Sequence, residues 1–307
     1  MPPKNEVSRR LPSSFFDYFR LPAPVKRIFD KFPLKTYAPN DLPRRSPKIR
    51  DDILLHIFTT EEGASNNAPS FNPTCLKWQV RKISSGRADR VTDWKKAYLS
   101  FCGIEFKTAA SNNHASPTGV LPFLTPANGA SPSPIPANNI LKWVNLQTGM
   151  TDAVSGMRQE AYVSLIDHRV RSAWLITLYL DDRNSEAVAK HLYIYPTSSN
   201  PLVQTTLFQQ LKKAAQDELL RSTRYIREDE VYVEAEKAFA ALSTLLGGDT
   251  YFFGEERPSL FDASVFAYTH LLLDESLNWQ NKRLPYCLNS LKNLVQHRQR
   301  LLTSFFC

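Results

Sequence analysis

The segment YFFGEERPSLFDASVFAYTHLLL, Tyr251 to Leu273, spells out a helix start in its side chains. Ser259 precedes Asp262 by three residues, the spacing of a capping box. In such a box a hydroxyl accepts the N3 backbone N–H and the N3 side chain reaches back. Here aspartate stands where Glu or Gln is usual. Ala263, Phe266, Ala267 and His270–Leu271 then follow at helical spacing, which predicts a well-capped helix with a buried apolar face. Taken alone, the segment says only that this helix is core.

Its surroundings place it in an all-helical half. YVSLIDHRVRSAWLITLYL sets Val163, Ile166, Val170, Trp174 and Leu178 on one helical stripe. LFQQLKKAAQDELL and VEAEKAFAALSTLLGG repeat the pattern, and Gly247 suits the end of the latter helix. Residues 151–307 therefore read as one all-α domain. Trp279, Phe305 and Phe306 in it are either core or a partner-facing patch, and for Trp279 core is the expectation because tryptophan is usually well buried. Residues 51–150 are mixed. ILLHIF (Ile53–Phe58) and GIEFKT (Gly103–Thr108) are short strand-like runs. GVLPFL (Gly119–Leu124) puts a proline where a strand begins, and NNILKWVN (Asn138–Asn145) has helical spacing.

Between the first two strands lies NPTCLKWQ, Asn72 to Gln79, which opens a helix with Cys75 in its first turn. A helix N-terminus favours a thiolate, so Cys75 is a candidate nucleophile. Buried cysteine is also ordinary core material, and no histidine stands near it in sequence to form a Cys–His couple. The core reading is the expected one.

A β-α-β unit, a V-x-P loop, a further β-α unit and an all-α domain carrying FFG…PSLFDA resemble the glutathione-transferase architecture. Within it, NPTCLKWQ, YLSFCGIEF, GVLPFL and YFFGEERPSLFDASVFAY are similar to the metaxin family, in its fungal form. The fold class this implies is α/β plus all-α, a thioredoxin-like half followed by an all-helical domain. Pro122 would be its cis-proline and Ser259 with Asp262 its structural helix cap. Glutathione transferases use a Ser, Cys or Tyr near Cys75, with a Glu/Gln–Ser pair before the third helix of the first half. This chain has Pro136–Ala137 or Ala137–Asn138 there, so the resemblance implies no glutathione site, no catalytic residue, no cofactor and no metal.

Two stretches depart from that frame. VRKISSGRADRVTDWKK, Val80 to Lys96, is a polar insertion between CLKWQ and AYLSFCGIEF. It is either a solvent-exposed extension of the helix pair or a retained intron, which sequencing the transcript decides. Residues 1–50 hold 12 Lys/Arg against 4 Asp/Glu, so the whole net charge of +8 sits there and the rest of the chain is balanced. Seven prolines between Leu11 and Pro47 favour an extended path. Phe15, Phe16, Phe19 and Phe29, interleaved with Arg20 and Arg27, suit an anionic membrane surface, a partner, or the protein's own body. Asp17, Asp30 and the prolines argue against a mitochondrial presequence.

Composition excludes several classes. Hydrophobic residues at 42% and aromatics at 11% are globular values. The four cysteines are scattered without a CxxC pair, against zinc and disulfide frameworks and in keeping with a reducing compartment. No N-terminal h-region and no apolar run of spanning length occurs. The basic charge lies in a proline-rich arm rather than in a nucleic-acid motif, so nucleic acid is not an expected partner. The resemblance implies a peripheral subunit of the mitochondrial sorting and assembly (SAM) complex on the cytosolic face of the outer membrane. The chain ends at LLTSFFC without a membrane helix, so the unanchored metaxin-like subunit is the expectation. Its expected partners are the membrane-embedded β-barrel insertase, a second metaxin-like subunit, β-barrel precursors and the membrane surface. The alternatives are a glutathione-dependent transferase and a soluble scaffold of the same fold.

Overall fold

The computed structural model describes residues 52–79, 104, 106–127, 133–148 and 157–306. The chain divides into two units, Met1–Lys48 and Ile49–Cys307, and every described residue lies in the second. The arm with Phe15, Phe16, Phe19, Arg20, Arg27 and Phe29 lies outside the described residues, as does the insertion 80–96.

In the first half, strands β1 (Ile53–Ile57), β2 (Phe106–Ala110), β3 (Phe123–Thr125) and β4 (Ile135–Pro136) form one sheet in the order β2-β1-β3-β4. β1 runs parallel to β2, with Leu55 beside Thr108, and antiparallel to β3, with Leu55 beside Leu124. A strand with neighbours on both edges sits where water does not reach, and Leu55 and Ile57 are fully buried. A parallel pair needs a crossover, supplied in part by α1 (Glu61–Ser65) and α2 (Pro73–Gln79). After β4, α3 (Ala137–Thr148) puts Ile140 and Val144, one turn apart, into the same core. The Leu121–Pro122 peptide is cis.

The helical half comprises α4 (157–180), α5 (182–194), α6 (Pro201–Leu219), α7 (Glu228–Leu246), α8 (Leu260–Leu273), α9 (Arg283–Ser290) and α10 (Lys292–Phe306). α4 contains wide turns at Ile166–Val170 and Ile176–Leu180, the latter closed by Asp181 N–H on the Ile176 carbonyl at 2.8 Å. α7 ends at Gly247, whose φ of 54° is unfavourable for any residue with a Cβ.

α8 differs from its reading as a helix with one apolar face. Apart from Ser264, every residue from Phe261 to Leu272 is buried, because α2 packs on one side and α9 and α10 on others. The partner-patch reading is likewise overturned for Trp279 and Phe305, while Phe306 is half-buried. Trp279 is 4% and Phe305 6% exposed, while Phe306 stacks on Phe266 with ring centroids 6.0 Å apart. These residues close the core against α8 instead.

The two halves share their cores. Leu76 of α2 belongs to the helical core, whereas its neighbours Cys75 and Trp78 belong to the core under the sheet. Leu260, the first residue of α8, packs back against that second core.

Buried polar side chains fix the loops. Gln79 accepts Ser70 N–H at 2.6 Å and donates to the Ala68 carbonyl, sealing the loop before α2. Asn184, fully buried, accepts the N–H groups of Gln280 (2.8 Å) and Asn281 (3.0 Å), which ties the start of α5 to the turn before α9. Each side chain replaces the water that those backbone groups would otherwise lose on burial.

Candidate functional site

Where the two halves meet, a cleft of about 570 Å3 opens beside the end of β1, the start of α2 and the Leu121–Pro122 loop. α4 supplies Arg171, Trp174, Leu175 and Tyr179 to its far wall. This is where a nucleophile at the head of α2 would work, so the surroundings of Cys75 decide what chemistry is available.

Asn72 caps α2. Its side-chain oxygen accepts Thr74 N–H at 3.0 Å and Cys75 N–H at 3.4 Å, and its amide donates to the Tyr193 hydroxyl at 3.3 Å. Tyr193 stands edge-on to both Phe58 and Phe71 with centroids 5.2 Å apart in each case. This aromatic packing closes over the loop that leads into the helix carrying the thiol. Cys75 is fully buried. Burial pushes its thiol up to about 12, against weaker opposing hydrogen bonds with the Phe58 carbonyl, Ser70 and Thr74. A thiol held so far above neutrality and shut away from solvent is a poor nucleophile and a poor metal ligand. Native-state alkylation should therefore leave Cys75 unmodified at pH 8, while unfolding in urea exposes it. Peptide mass spectrometry reads both states, and native labelling of Cys75 at the rate of a free thiol overturns the assignment.

His56 has partners other than Cys75. It hydrogen-bonds Thr125 Oγ1 at 3.1 Å and stacks on Phe123. At the head of α3 the structure puts Ala137 and Asn138 on the cleft, after Pro136 of β4. None of the three offers the carboxylate-plus-hydroxyl pair that anchors a glutathione backbone. Among the described residues no group of three or more His, Cys, Asp and Glu side chains is placed to hold a metal ion.

Among the described residues the charged groups on the cleft are Lys77 and Arg171. Arg171 Nε donates to Glu218 at 2.8 Å. Lys77, half-buried, sits 5.6 Å from the ring of its neighbour Trp78. Burial lowers its pKa first, Asp167 opposes this, and Arg171 adds to it. Periodicity had marked neither cation, since both fall on helices read for their apolar stripes.

Pro122 lines this cleft, whereas Ser259 and Asp262 lie at the head of α8. There Ser259 Oγ accepts Asp262 N–H at 3.3 Å, and Asp262 Oδ2 accepts Ser259 N–H at 2.8 Å, closing the capping box. Asp262 Oδ1 accepts Phe252 N–H at 3.0 Å and lies 2.9 Å from His297 Nε2 of α10. His297 was not singled out by the sequence, because nothing local links it to a residue thirty-five positions earlier.

Comparison with known proteins bears on all of this. Residues 19–80 match a family described as SAM35, a subunit of the SAM complex. Residues 94–184 match a glutathione S-transferase N-terminal domain, and residues 235–301 a glutathione S-transferase C-terminal domain. Metaxin-3 of Xenopus laevis is 28% identical over 222 residues, covering 68% of this chain and 69% of that protein. Metaxin-1 of Macaca fascicularis is likewise 28% identical, over 68% of both chains. Human metaxin-2 is 25% identical over 69% of this chain and 80% of its own length. Among solved structures, a glutathione transferase from Phanerochaete chrysosporium superposes with a TM-score of 0.53 at 14% identity, covering 85% of this chain and 99% of that one. That likeness concerns the fold alone.

Proposed function

Because the chain is a metaxin-family protein with a glutathione-transferase fold, we propose that it works as a non-catalytic subunit of the mitochondrial sorting and assembly complex. The observation that carries this reading is the match of residues 19–80 to the SAM35 family, a span that includes much of the basic arm, β1 and α2. The site chemistry supports the absence of catalysis: the thiol at the head of α2 is buried and protonated, and the glutathione-anchoring pair is not at the head of α3. Among the described residues no helix is long and apolar enough to cross a membrane, which suits a subunit bound at the outer-membrane surface.

In this role the chain sits on the cytosolic face, contacts the membrane-embedded β-barrel insertase and a second metaxin-like subunit, and helps receive β-barrel precursors. Such work needs a rigid body and an interface rather than a nucleophile. The arm residues Phe15, Phe16, Phe19, Arg20, Arg27 and Phe29 supply cations and aromatic rings suited to anionic headgroups or to a partner's rim.

A mild-detergent pull-down from mitochondria tests this, with the tagged full chain beside a form lacking residues 1–50. Recovery of the barrel insertase by the full chain is the expected result. Its loss with the shortened form assigns the contact to the arm, and its retention assigns it to the folded body. If the full chain recovers no membrane partner and fractionates with cytosol, the assembly role falls and a soluble scaffold takes its place. Retention on immobilised glutathione, with elution by free glutathione, would reinstate the transferase reading.

A further inference from the structure

We propose that the cleft between the two halves binds a single-chain amphiphile with one anionic head, a carboxylate or a monoalkyl phosphate, its head at Lys77 and its chain along the apolar wall. The wall is built from Trp78, Leu141, Trp174, Leu175 and Leu211. At about 570 Å3, the cleft falls within the size range of small-ligand sites, roughly 300–1,000 Å3.

The head-group argument rests on unequal pairing of the two cations. Arg171 already holds Glu218 at 2.8 Å. Lys77 makes no ion pair with any described residue; Asp167 acts on it only at longer range, and its near neighbour is the Trp78 ring. Lys77 is also the one charged side chain in α2, a helix whose other residues are apolar or polar and mostly buried. A half-buried ammonium without a counter-ion is costly, and an incoming anion removes that cost. Among the described residues no acidic side chain lines the cleft to repel it.

Other ligand classes fit less well. A neutral apolar molecule leaves the ammonium unpaired. A di- or triphosphate brings more charge than one free cation can match. A zwitterionic peptide such as glutathione needs an acid or amide and a hydroxyl for its amino-acid end, and Ala137 and Asn138 stand at that place. One small anionic head on an apolar body matches both features of the cleft.

The test is titration calorimetry on the full chain with dodecanoate, dodecyl phosphate and dodecan-1-ol, each below its micellar range. Either or both anions should bind with one-to-one stoichiometry. The alcohol should bind at least about ten-fold more weakly, as should the favoured anion to Lys77→Met, since a charge-assisted contact is the stronger kind. Lys77→Arg should stay within about three-fold of wild type, because it keeps the charge. Leu211→Trp, which narrows the cleft and leaves Lys77 in place, should abolish binding and decides the matter if Lys77→Met fails to fold by circular dichroism. Stronger binding of dodecanoate assigns a free fatty acid; stronger binding of dodecyl phosphate assigns a lysophospholipid-type head. The proposal is overturned if neither anion binds, if the alcohol binds as tightly, if folded Lys77→Met binds normally, or if Leu211→Trp leaves binding unchanged. It stands apart from the assembly role, whose pull-down is unaffected by any of these results.

Discussion

Asp262→Ala is expected to destabilise the folded body by about 3–5 kcal/mol, the cost of removing one member of a buried, hydrogen-bonded polar cluster. Asp262 is fully buried and its two oxygens serve four donors: the Ser259 backbone and hydroxyl, Phe252 N–H and His297 Nε2. Removing the carboxylate leaves the Phe252 N–H and His297 without the partner they have here, in places that water does not reach. The loss therefore exceeds that of a helix cap alone. Ser259→Ala, which removes only the hydroxyl half of the capping box, is expected to cost about 1 kcal/mol. Asp262→Asn should fall between them, since it keeps one acceptor and turns an amide N–H2 on other donors. Urea unfolding followed by far-UV circular dichroism measures all three. A loss below about 1 kcal/mol for Asp262→Ala would mean that the cluster contributes no more than an exposed cap.

Trp279→Ala should cost about as much, roughly 3–5 kcal/mol, by a different route: it opens a cavity in the helical core. Trp279 stands edge-on to Trp174, centroids 5.6 Å apart and planes at 77°, and is 4% exposed. Its indole Nε1 donates to the Leu271 carbonyl at 3.0 Å. Leu271 lies in the last turn of α8, where carbonyls have no partner within the helix, so the indole also serves as a side-chain cap. Trp279→Phe restores much of the packing but not the donor and should lose only about 1–3 kcal/mol. Equal losses for Ala and Phe would show that the hydrogen bond, and not the cavity, sets the cost.

Much of this protein was legible one element at a time. Helix periodicity put Val163, Ile166, Val170, Trp174 and Leu178 on one stripe of α4; the last four are buried, whereas Val163, in the first turns of the helix, is 38% exposed. Residues Ser259 and Asp262 carried the capping box in their spacing, and both of its bonds are present. Such features depend on residues within a turn of each other, so local chemistry decides them. The glutathione-transferase-like architecture was legible as a resemblance, carried by the order of the strand, helix and proline-loop motifs rather than by any one of them.

What escaped a linear reading was every contact between distant parts of the chain. α8 was expected to bury one face, yet it is enclosed, because α2 arrives from the other half. Trp279, Phe305 and Phe306 could be read as a surface patch until α10 was seen packed against α8. His297 on Asp262, Asn184 on the turn at Gln280–Asn281, and the meeting of Lys77 with Arg171 at one cleft join positions tens of residues apart.

The sequence by itself determined the helices with long apolar stripes, the capping box at Ser259 and Asp262, the strand-like runs at Ile53–Phe58 and Gly103–Thr108 and the concentration of basic charge in residues 1–50. Tertiary structure alone decided that Cys75 is fully buried with its pKa raised, because a thiol's pKa depends on how completely its surroundings exclude water, and the hydrogen bonds with Phe58, Ser70 and Thr74 offset that only in part. It also decided that Lys77 faces a cleft with no carboxylate in pairing range among the described residues. Burial and pairing are properties of what surrounds a side chain in space, and neighbours in space are chosen only when the chain closes on itself.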